Sequence, residues 1–319
     1  MATRPERVNI SVEVAGLKLK TPLIVASGTF GFGRDFERVE RFDYGPIGAL
    51  VLKGTTLEPR LGNPRPRIVE TAGGAGLINS IGLENPGVRK VVKELVPRLR
   101  GLKTKVIANV AGSTVEEYAE VASHFDGSGR IDAIELNISC PNVNKGGAQF
   151  GVDPAMCGEV VGAVRKRTSK TLIIKLSPNA SDIKGVARAC IESGADALSL
   201  SNTVSAMAVD ARRRRPILGN NVGGLSGPAI KPIALYKLHE VYQVARERKP
   251  AVPLIGMGGI AMALDAMEFI VTGATAFQVG TVLFWNNRCC SEIVDGLKAL
   301  LVEMGEKDIN NVVGTLKLN

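Results

Sequence analysis

Short apolar segments recur along this chain, separated by longer stretches in which apolar residues return with helical spacing. Eight of these segments have the length of a buried strand: residues 23–27, 49–54, 105–110, 131–139, 171–176, 197–203, 253–259 and 276–281. Nearly continuous apolar runs of this kind are typical of parallel strands that are covered on both faces. Eight such strands, most of them followed by an amphipathic stretch, predict an α/β fold closed as a (β/α)8 TIM barrel.

Helix start signals stand between the predicted strands. The sequence Ser-Thr-Val-Glu at 113–116 matches a capping box and predicts a helix that ends near Phe125. Asn-Pro at 85–86 predicts the start of another helix, which ends near Leu99. Before the first strand, residues 8–19 predict a short hairpin.

A doubly wound open sheet is the competing architecture. Its dinucleotide-binding versions carry G-x-G-x-x-G after the first strand, and no such sequence follows residues 23–27. We therefore expect a single barrel domain over residues 1–319, a length that one such domain commonly has.

Polar residues and glycines collect where the predicted strands end. In a barrel, the carboxyl ends of all strands share one rim, and this is where barrel enzymes place their chemistry. The long connections 55–84 and 204–226 are expected to lie over the same mouth. The residues at the strand ends are Ser27, Gly28, Lys53, Gly54, Asn109, Cys140, Lys175, Asn202, Thr203, Gly258, Gly259, Gly280 and Thr281.

The fourth strand leads into the most unusual of these ends, residues 135–142, which read Glu-Leu-Asn-Ile-Ser-Cys-Pro-Asn. A lone cysteine is more often structural than reactive, because free cysteines behave as small buried hydrophobes. Asn137 and Asn142 change that balance, since two amides at a strand end have no evident structural duty and can bind a ligand. We therefore interpret Cys140 as a candidate reactive thiol.

Glycine-rich turns follow the seventh and eighth strands, at residues 256–260 and at Gly280 and Thr281. Taken alone, such glycines are as well explained by tight turns between a strand and a helix. Their position favours a functional interpretation, because backbone N–H groups after strands seven and eight form the usual phosphate site of a barrel.

Two lysines, Lys53 and Lys175, end apolar strands, where a charged side chain needs an anion or polar ligand to offset its desolvation. One of them can supply the positive charge that a reduced flavin needs near its N1 and O2 atoms. Pairing with a core carboxylate is the plainer alternative. Residues 79–83, Asn-Ser-Ile-Gly-Leu, could hold a flat polar heterocycle, although such a sequence is more often an ordinary loop.

Charge and cysteine content narrow the class of protein. Forty basic and thirty-one acidic residues give a net charge of +9, which favours anionic small molecules, and no nucleic-acid-binding signature is present. The five cysteines form no C-x-x-C pair, so we expect no disulfide scaffold, iron–sulfur cluster or metal site on this chain. No signal peptide begins the sequence, and no apolar run approaches the ~18 residues of a membrane span. We expect a soluble cytoplasmic protein.

Taken together, nine segments resemble those of the dihydroorotate dehydrogenases, over nearly the whole chain. They are 26–33 (Ala-Ser-Gly-Thr-Phe-Gly-Phe-Gly), 52–56 (Leu-Lys-Gly-Thr-Thr), 79–83, 108–112 (Ala-Asn-Val-Ala-Gly), 135–142, 174–178 (Ile-Lys-Leu-Ser-Pro), 201–203 (Ser-Asn-Thr), 223–228 (Gly-Gly-Leu-Ser-Gly-Pro) and 256–260 (Gly-Met-Gly-Gly-Ile).

The resemblance implies a barrel with FMN at the carboxyl face of its strands. Cys140 would be the base that removes a proton from C5 of dihydroorotate while a hydride leaves C6 for flavin N5. The implied FMN-binding residues are Ser27, Lys53, Gly54, Asn109, Asn137, Lys175, Ser201, Gly227, Gly258, Gly259, Gly280 and Thr281. The implied substrate-binding residues are Lys53, Asn79, Ser80, Ile81, Gly82, Leu83, Asn137, Asn202 and Thr203.

Within the family, the chain looks most like the catalytic subunit of the NAD-linked type. Cysteine stands where the membrane-bound quinone-linked type carries serine, and 52–56 and 108–112 are closer to the NAD-linked than to the fumarate-linked type. The resemblance implies a homodimer core within a heterotetramer, whose second subunit carries FAD and a [2Fe-2S] cluster. The four arginines from Arg212 to Arg215 depart from the family pattern. They are interpreted first as a solvated loop, and second as a docking or steering surface.

Besides a fumarate-linked dihydroorotate dehydrogenase, three alternatives remain at the level of sequence. A dihydropyrimidine dehydrogenase-like domain would share the flavin barrel and the cysteine base but act on uracil or thymine. A flavin-free isomerase or lyase would use the glycine turns for a substrate phosphate. A non-catalytic binding subunit is the third alternative, and lysines and a cysteine at the strand ends argue against it.

Overall fold

The computed structural model describes residues 8–34, 42–138 and 151–319. Its strands are β1 (Val12–Val14), β2 (Leu17–Leu19), β3 (Leu23–Val25), β4 (Ala49–Val51), β5 (Ile68–Glu70), β6 (Leu77–Asn79), β7 (Lys105–Val110), β8 (Ala133–Asn137), β9 (Thr171–Lys175), β10 (Ala197–Leu200), β11 (Val204–Ala206), β12 (Val209–Asp210), β13 (Arg215–Pro216), β14 (Gly223–Ser226), β15 (Leu254–Met257) and β16 (Ala276–Val279). Its α-helices are α1 (Val88–Lys90), α2 (Val115–Asp126), α3 (Pro154–Arg165), α4 (Ile183–Glu192), α5 (Lys231–Ala245), α6 (Ala263–Thr272) and α7 (Cys289–Glu303).

Eight parallel strands close into a barrel in the order β3, β4, β7, β8, β9, β10, β15, β16. The last strand returns to the first, and Phe277 of β16 is paired with Leu23 of β3. Both residues are fully buried, as expected for strands covered on the outside by helices. All eight segments predicted from the sequence are barrel strands, so the (β/α)8 fold is confirmed and the open sheet is excluded.

The amino end of the barrel is covered by the hairpin of β1 and β2, which confirms the hairpin predicted at 8–19. Its strands alternate buried and exposed residues, as a hairpin with one face against a core should. The hydroxyl of Thr171, the first residue of β9, donates a 3.0 Å hydrogen bond to the carbonyl of Ala15 in the hairpin turn. The hairpin therefore packs against the amino end of the barrel.

The carboxyl end of the barrel is covered by a four-stranded antiparallel sheet in the order β11, β14, β6, β5. Strand β6 comes from the long connection after β4, and β14 comes from the one after β10; Asn79 is paired with Gly224. The two connections predicted to lie over the mouth therefore do so by pairing with each other.

The helices follow the predicted positions with one correction. Helix α2 is capped by Thr114, whose hydroxyl accepts the N–H of Glu117, while the Glu117 carboxylate accepts the N–H of Ser113. The capping box predicted at 113–116 is therefore one residue too early. Threonine and serine both cap helices well, so the sequence alone does not distinguish the two registers. The second predicted helix begins at Val88 and continues through a π turn, Val91–Leu95, into a 3₁₀ turn, Val96–Leu99.

The end of α2 is hydrogen-bonded to the loop between α3 and β9. The hydroxyl of Thr168 donates a 2.6 Å hydrogen bond to Asp126 Oδ1, and the N–H of Ser169 donates to the same oxygen at 2.9 Å. The Thr168 bond, followed by the backbone bond, lowers the pKa of Asp126 below its ordinary value, despite the opposing effect of burial.

We predict that Thr168→Val lowers the free energy of unfolding by about 1–2 kcal/mol near pH 7. A carboxyl group with a lowered folded-state pKa stabilises the protein above its unfolded pKa of about 3.9, and this contribution is lost as pH falls through the folded-state pKa. The difference between wild type and variant should therefore shrink toward pH 3 in a series of denaturant titrations. A difference that stays constant across the series would show that the bond to ionised Asp126 is not its source.

Candidate active site at the carboxyl end of the barrel

A cavity of about 730 Å³ lies between the carboxyl ends of the barrel strands and the antiparallel sheet that covers them. Its volume lies in the range of pockets that bind cofactors and drug-sized ligands. Both the sheet and the strand ends contribute to the lining, so barrel closure and the pairing of the two long connections together form it.

The predicted site residues converge on this cavity. Every residue expected to bind FMN lines it: Ser27, Lys53, Gly54, Asn109, Asn137, Lys175, Ser201, Gly227, Gly258, Gly259, Gly280 and Thr281. The residues expected to bind substrate also line it: Lys53, Asn79, Ser80, Ile81, Gly82, Leu83, Asn137, Asn202 and Thr203. Cys140 lies outside the described residues, and its role stays a prediction.

Below the cavity, a carboxylate lies inside the barrel. Glu135 on β8 is fully buried. It accepts hydrogen bonds from Asn109 Nδ2 at 2.8 Å, from Ser199 Oγ at 2.9 Å and from Gln278 Nε2 at 2.7 Å. Because β10 and β16 are not neighbours of β8, the bonds from Ser199 and Gln278 cross the interior of the barrel. The three donors together satisfy a charge that would otherwise be costly to bury.

Lys175, at the end of β9, brings a positive charge to the same region. Only 6% of the residue is exposed, and its Nζ lies 3.5 Å from Ser27 Oγ across the barrel. Burial lowers the pKa of Lys175, and the negative charge of Glu135 opposes that change. Glu135 is therefore the core carboxylate whose charge acts on Lys175. Lys175 still lines the cavity, so it is also available to a ligand.

Several buried polar atoms of the cavity lining have no hydrogen-bond partner within the described part of the chain. They are Ser80 Oγ, Asn109 Oδ1, Ser201 Oγ and Gln278 Oε1. Buried polar atoms are nearly always bonded, so such a group at one cavity marks where a bound molecule supplies the partners. A flavin ring, which has both donors and acceptors along its polar edge, fits these atoms.

Glycines form one corner of the cavity, where the turns after β14, β15 and β16 meet. Gly227 and Gly259 have φ angles of +96° and +84°, a conformation that favours glycine. A Cβ atom added to Gly259 would lie 3.0 Å from the carbonyl oxygen of Gly227, and one added to Gly227 would lie 3.6 Å from Thr281 Cγ2. These turns therefore pack against one another with little room for side chains, in the part of the cavity lining where the sequence predicts a phosphate site.

Another part of the lining is rich in side-chain amides. Asn202 Nδ2 donates to Asn137 Oδ1 at 3.2 Å, and the Asn202 Oδ1 accepts the N–H of Thr203 at 2.8 Å. Asn79, at the end of β6, donates to the carbonyl of Gly224 at 3.4 Å. These bonds orient amides from the barrel rim and from the covering sheet around one space, which suits a planar ligand with several polar atoms.

Sequence reasoning did not select Glu135, Ser199 or Gln278 as site residues. The available signal was a polar residue inside an otherwise apolar strand, as Gln278 is in Ala-Phe-Gln-Val. A polar residue in an apolar strand indicates that its side chain is buried, but it does not indicate which residue it bonds to. Glu135, Ser199 and Gln278 meet only across the closed barrel.

Other predicted features lie away from the cavity. The arginines Arg212–Arg215 are exposed beside the β12–β13 hairpin and do not line it, which agrees with a solvated loop. Cys157, Cys190, Cys289 and Cys290 are free thiols buried in the core. Among the residues that the structure describes, no group of three potential metal ligands is present. A helix with the length and hydropathy of a membrane span is also absent from the described ranges.

Comparison with known proteins agrees with this geometry. The family model described as dihydroorotate dehydrogenase matches residues 9–301. A protein of Trichlorobacter lovleyi named dihydroorotate dehydrogenase B (NAD(+)), catalytic subunit, is 52% identical over 97% of this chain and 98% of its own length. Proteins with the same name from Desulforudis audaxviator and Desulforamulus reducens are 50% and 47% identical, over 97% and 98% of this chain and 97% and 100% of their own lengths.

We predict that Gly259→Ala weakens FMN binding by at least about tenfold, equal to about 1.4 kcal/mol. The added Cβ would lie 2.9 Å from the Lys231 backbone nitrogen and would displace the glycine corner. Gly16→Ala is the matched control, because Gly16 has nearly the same φ angle, +83°, but open space around it. Fluorescence titration with FMN measures both affinities. Equal affinities in the two variants would remove the glycine corner from cofactor binding.

Proposed function

Because this chain belongs to the dihydroorotate dehydrogenase family, we propose that it oxidises (S)-dihydroorotate to orotate in pyrimidine biosynthesis, as a single barrel domain that uses FMN. The observation that carries the proposal is the convergence of every described residue of the predicted FMN and substrate sets on one cavity. The names of the relatives, which specify dihydroorotate and NAD, support the same activity.

Three features of the cavity support FMN as its ligand: the glycine turns, the charge of Lys175 and two amide oxygens. The glycine turns after β14, β15 and β16 line the cavity, and their backbone N–H groups would bind a phosphate there. Lys175 offers a buried positive charge, and Asn109 and Gln278 offer unpartnered carbonyl oxygens. When bound, FMN supplies the acceptor for the hydride that leaves dihydroorotate.

The residues of the chain bind and orient the substrate. The amides of Asn79, Asn137 and Asn202 can form hydrogen bonds with the polar atoms of the dihydroorotate ring. Lys53, also in the lining, can bind its carboxylate. The covering sheet and residues 79–83 form part of the lining, and water displaced from this space by the bound ligands would strengthen each of these electrostatic interactions.

The proton is assigned to Cys140. This residue stands three positions after Asn137, the last residue of the fourth barrel strand, and Asn137 lines the cavity. A thiolate near lysine side chains has a lowered pKa and is a suitable general base near neutral pH. Cys140 would accept the proton from C5 of the substrate, and its thiol would return that proton to solvent before the next turnover.

A partner subunit completes the proposed enzyme. The relatives are named as catalytic subunits of an NAD-linked enzyme, and the sequence of this chain has no dinucleotide fingerprint of its own. We place FAD and a [2Fe-2S] cluster on the partner, in a heterotetramer built around a homodimer of this chain, in the cytoplasm. Electrons would pass from FMN through that subunit to NAD.

We predict that (S)-dihydroorotate bleaches the visible absorbance of the FMN-loaded chain under anaerobic conditions, whereas dihydrouracil does not. The lysine and amide groups of the lining are suited to the carboxylate that only dihydroorotate carries. Stopped-flow absorbance measures both reactions. Bleaching by dihydrouracil alone would favour the dihydropyrimidine dehydrogenase-like alternative, and a chain that binds no FMN would favour the flavin-free barrel.

We predict that Cys140→Ser lowers the rate of flavin reduction by about 100-fold at neutral pH and by less at high pH, because a hydroxyl is a far weaker base than a thiolate. Cys157→Ala serves as the control for thiol loss, since Cys157 is buried in the core on α3. The measurement is the pH profile of anaerobic flavin reduction. An unchanged rate in Cys140→Ser would remove Cys140 from the proton transfer.

A further inference from the structure

Glu135 holds a position that substrate and cofactor binding alone do not explain. It is fully buried in the middle of β8, does not line the cavity, and receives hydrogen bonds from Asn109, Ser199 and Gln278. All three donors are neutral, and together they occupy both oxygens of the carboxylate. β8, β10 and β16 are the fourth, sixth and eighth strands of the barrel, so Glu135, Ser199 and Gln278 form one interior layer from alternate strands.

The carboxylate determines how two amides of the cavity are oriented. An ionised carboxylate only accepts hydrogen bonds, so the amide nitrogens of Asn109 and Gln278 must face it. Their carbonyl oxygens are then turned elsewhere, and both are buried without a partner in the described part of the chain. Both residues line the cavity, and Asn109 Oδ1 lies 3.0 Å from where a Cβ of Gly54 would be. Two hydrogen-bond acceptors are thereby presented to the ligand.

The same carboxylate influences the charge of Lys175. Ser199, which donates to Glu135, is the strand partner of Lys175, so the ammonium and carboxylate share one part of the barrel interior. Burial lowers the pKa of Lys175, and Glu135 is the group that opposes this. The other ionisable residues lining the described part of the cavity are Lys53 and Glu84.

We propose that Glu135 is a positioning residue, which fixes the amides of Asn109 and Gln278 and supplies the counter-charge for the ammonium group of Lys175 beside the flavin. This inference rests on the proposed function, because it assumes FMN in the cavity. Glu135 does not line the cavity and acts through Asn109, Gln278 and Lys175, which do. Its consequence is a higher flavin reduction potential, since a positive charge near the ring stabilises the reduced anion.

The test compares Glu135→Gln with Asp132→Asn in the FMN-loaded protein. Asp132 lies three residues earlier, at the amino end, where it accepts the Val106 N–H at 2.9 Å and pairs with Lys105 at 2.8 Å. Both variants remove one carboxylate charge from the same stretch of chain, but only Glu135 contacts residues of the cavity. Denaturant titration measures the stability lost by each variant, and a dye-coupled titration at pH 8.5 measures the flavin reduction potential.

We expect only Glu135→Gln to lower the reduction potential, by at least a tenfold loss in preference for reduced FMN, or about 30 mV for this two-electron couple. The sign is decisive. If Lys175 kept its charge without Glu135, removing the negative charge would raise the potential. An unchanged or raised potential in Glu135→Gln would therefore overturn the proposal, as would an equal shift in Asp132→Asn.

A second variant covers the case in which Glu135→Gln does not fold. Ser199→Ala removes one donor from Glu135, and Ser199 does not line the cavity. We expect a smaller shift in the same direction, and an unchanged potential would count against Glu135. The proposed function is judged separately, on the wild-type chain, by whether dihydroorotate reduces its flavin. If dihydroorotate reduces the wild-type flavin but Glu135→Gln leaves the reduction potential unchanged, the proposed function stands and the role of Glu135 is rejected.

Discussion

Closure of the parallel barrel, where β16 returns to pair with β3, is the constraint on which the remaining structure depends. Closure brings eight carboxyl ends to one rim, although their residues are spread over most of the chain. It also gives the barrel an interior in which side chains from non-adjacent strands meet. The cavity, the glycine corner and the layer around Glu135 all follow from it, and none would exist in an open sheet.

Burying charges inside this barrel opposes folding, and hydrogen bonds to the buried carboxylate offset part of that cost. A carboxylate in an apolar interior is tolerated only when its oxygens are bonded, and Glu135 has three donors. Lys175 is as buried as the apolar core around it, and burial disfavours its charged form. Replacement of such groups by apolar residues is often neutral or stabilising in other proteins. Their presence below the cavity is therefore better explained by the chemistry of the site than by stability.

Much of the fold could be predicted from the sequence, because the signals are local. Each barrel strand is a mostly apolar run, and the residue types at the strand ends, such as Lys53 and Lys175, are unusual enough to indicate a candidate site. The layer around Glu135 could not be predicted, because Ser199 and Gln278 are 64 and 143 residues away and meet it only after closure. The cap of α2 was misplaced by one residue for a different reason, since Ser113 and Thr114 have nearly equal capping preference.

The covering sheet is an intermediate case. Its segments were expected over the mouth from the lengths of the connections, but the pairing of β6 with β14 was not expected, because their strands are short. Gly223 in β14 explains the closeness of this pairing, since a side chain there would collide with the carbonyl oxygen of Asn79 in β6. The sheet thus joins residues 79–83 to the rim of the barrel through tertiary contacts that the local sequence does not encode.

In the proposed enzyme, cofactor and substrate share one cavity, and a crystal structure of the chain with FMN and orotate tests this most directly. We expect the FMN phosphate at the corner of Gly259 and Gly280, the flavin ring beside Lys175 and Asn109, and orotate between the ring and Asn79. Electron density for FMN or orotate at any other place, with this cavity left to solvent, would contradict it.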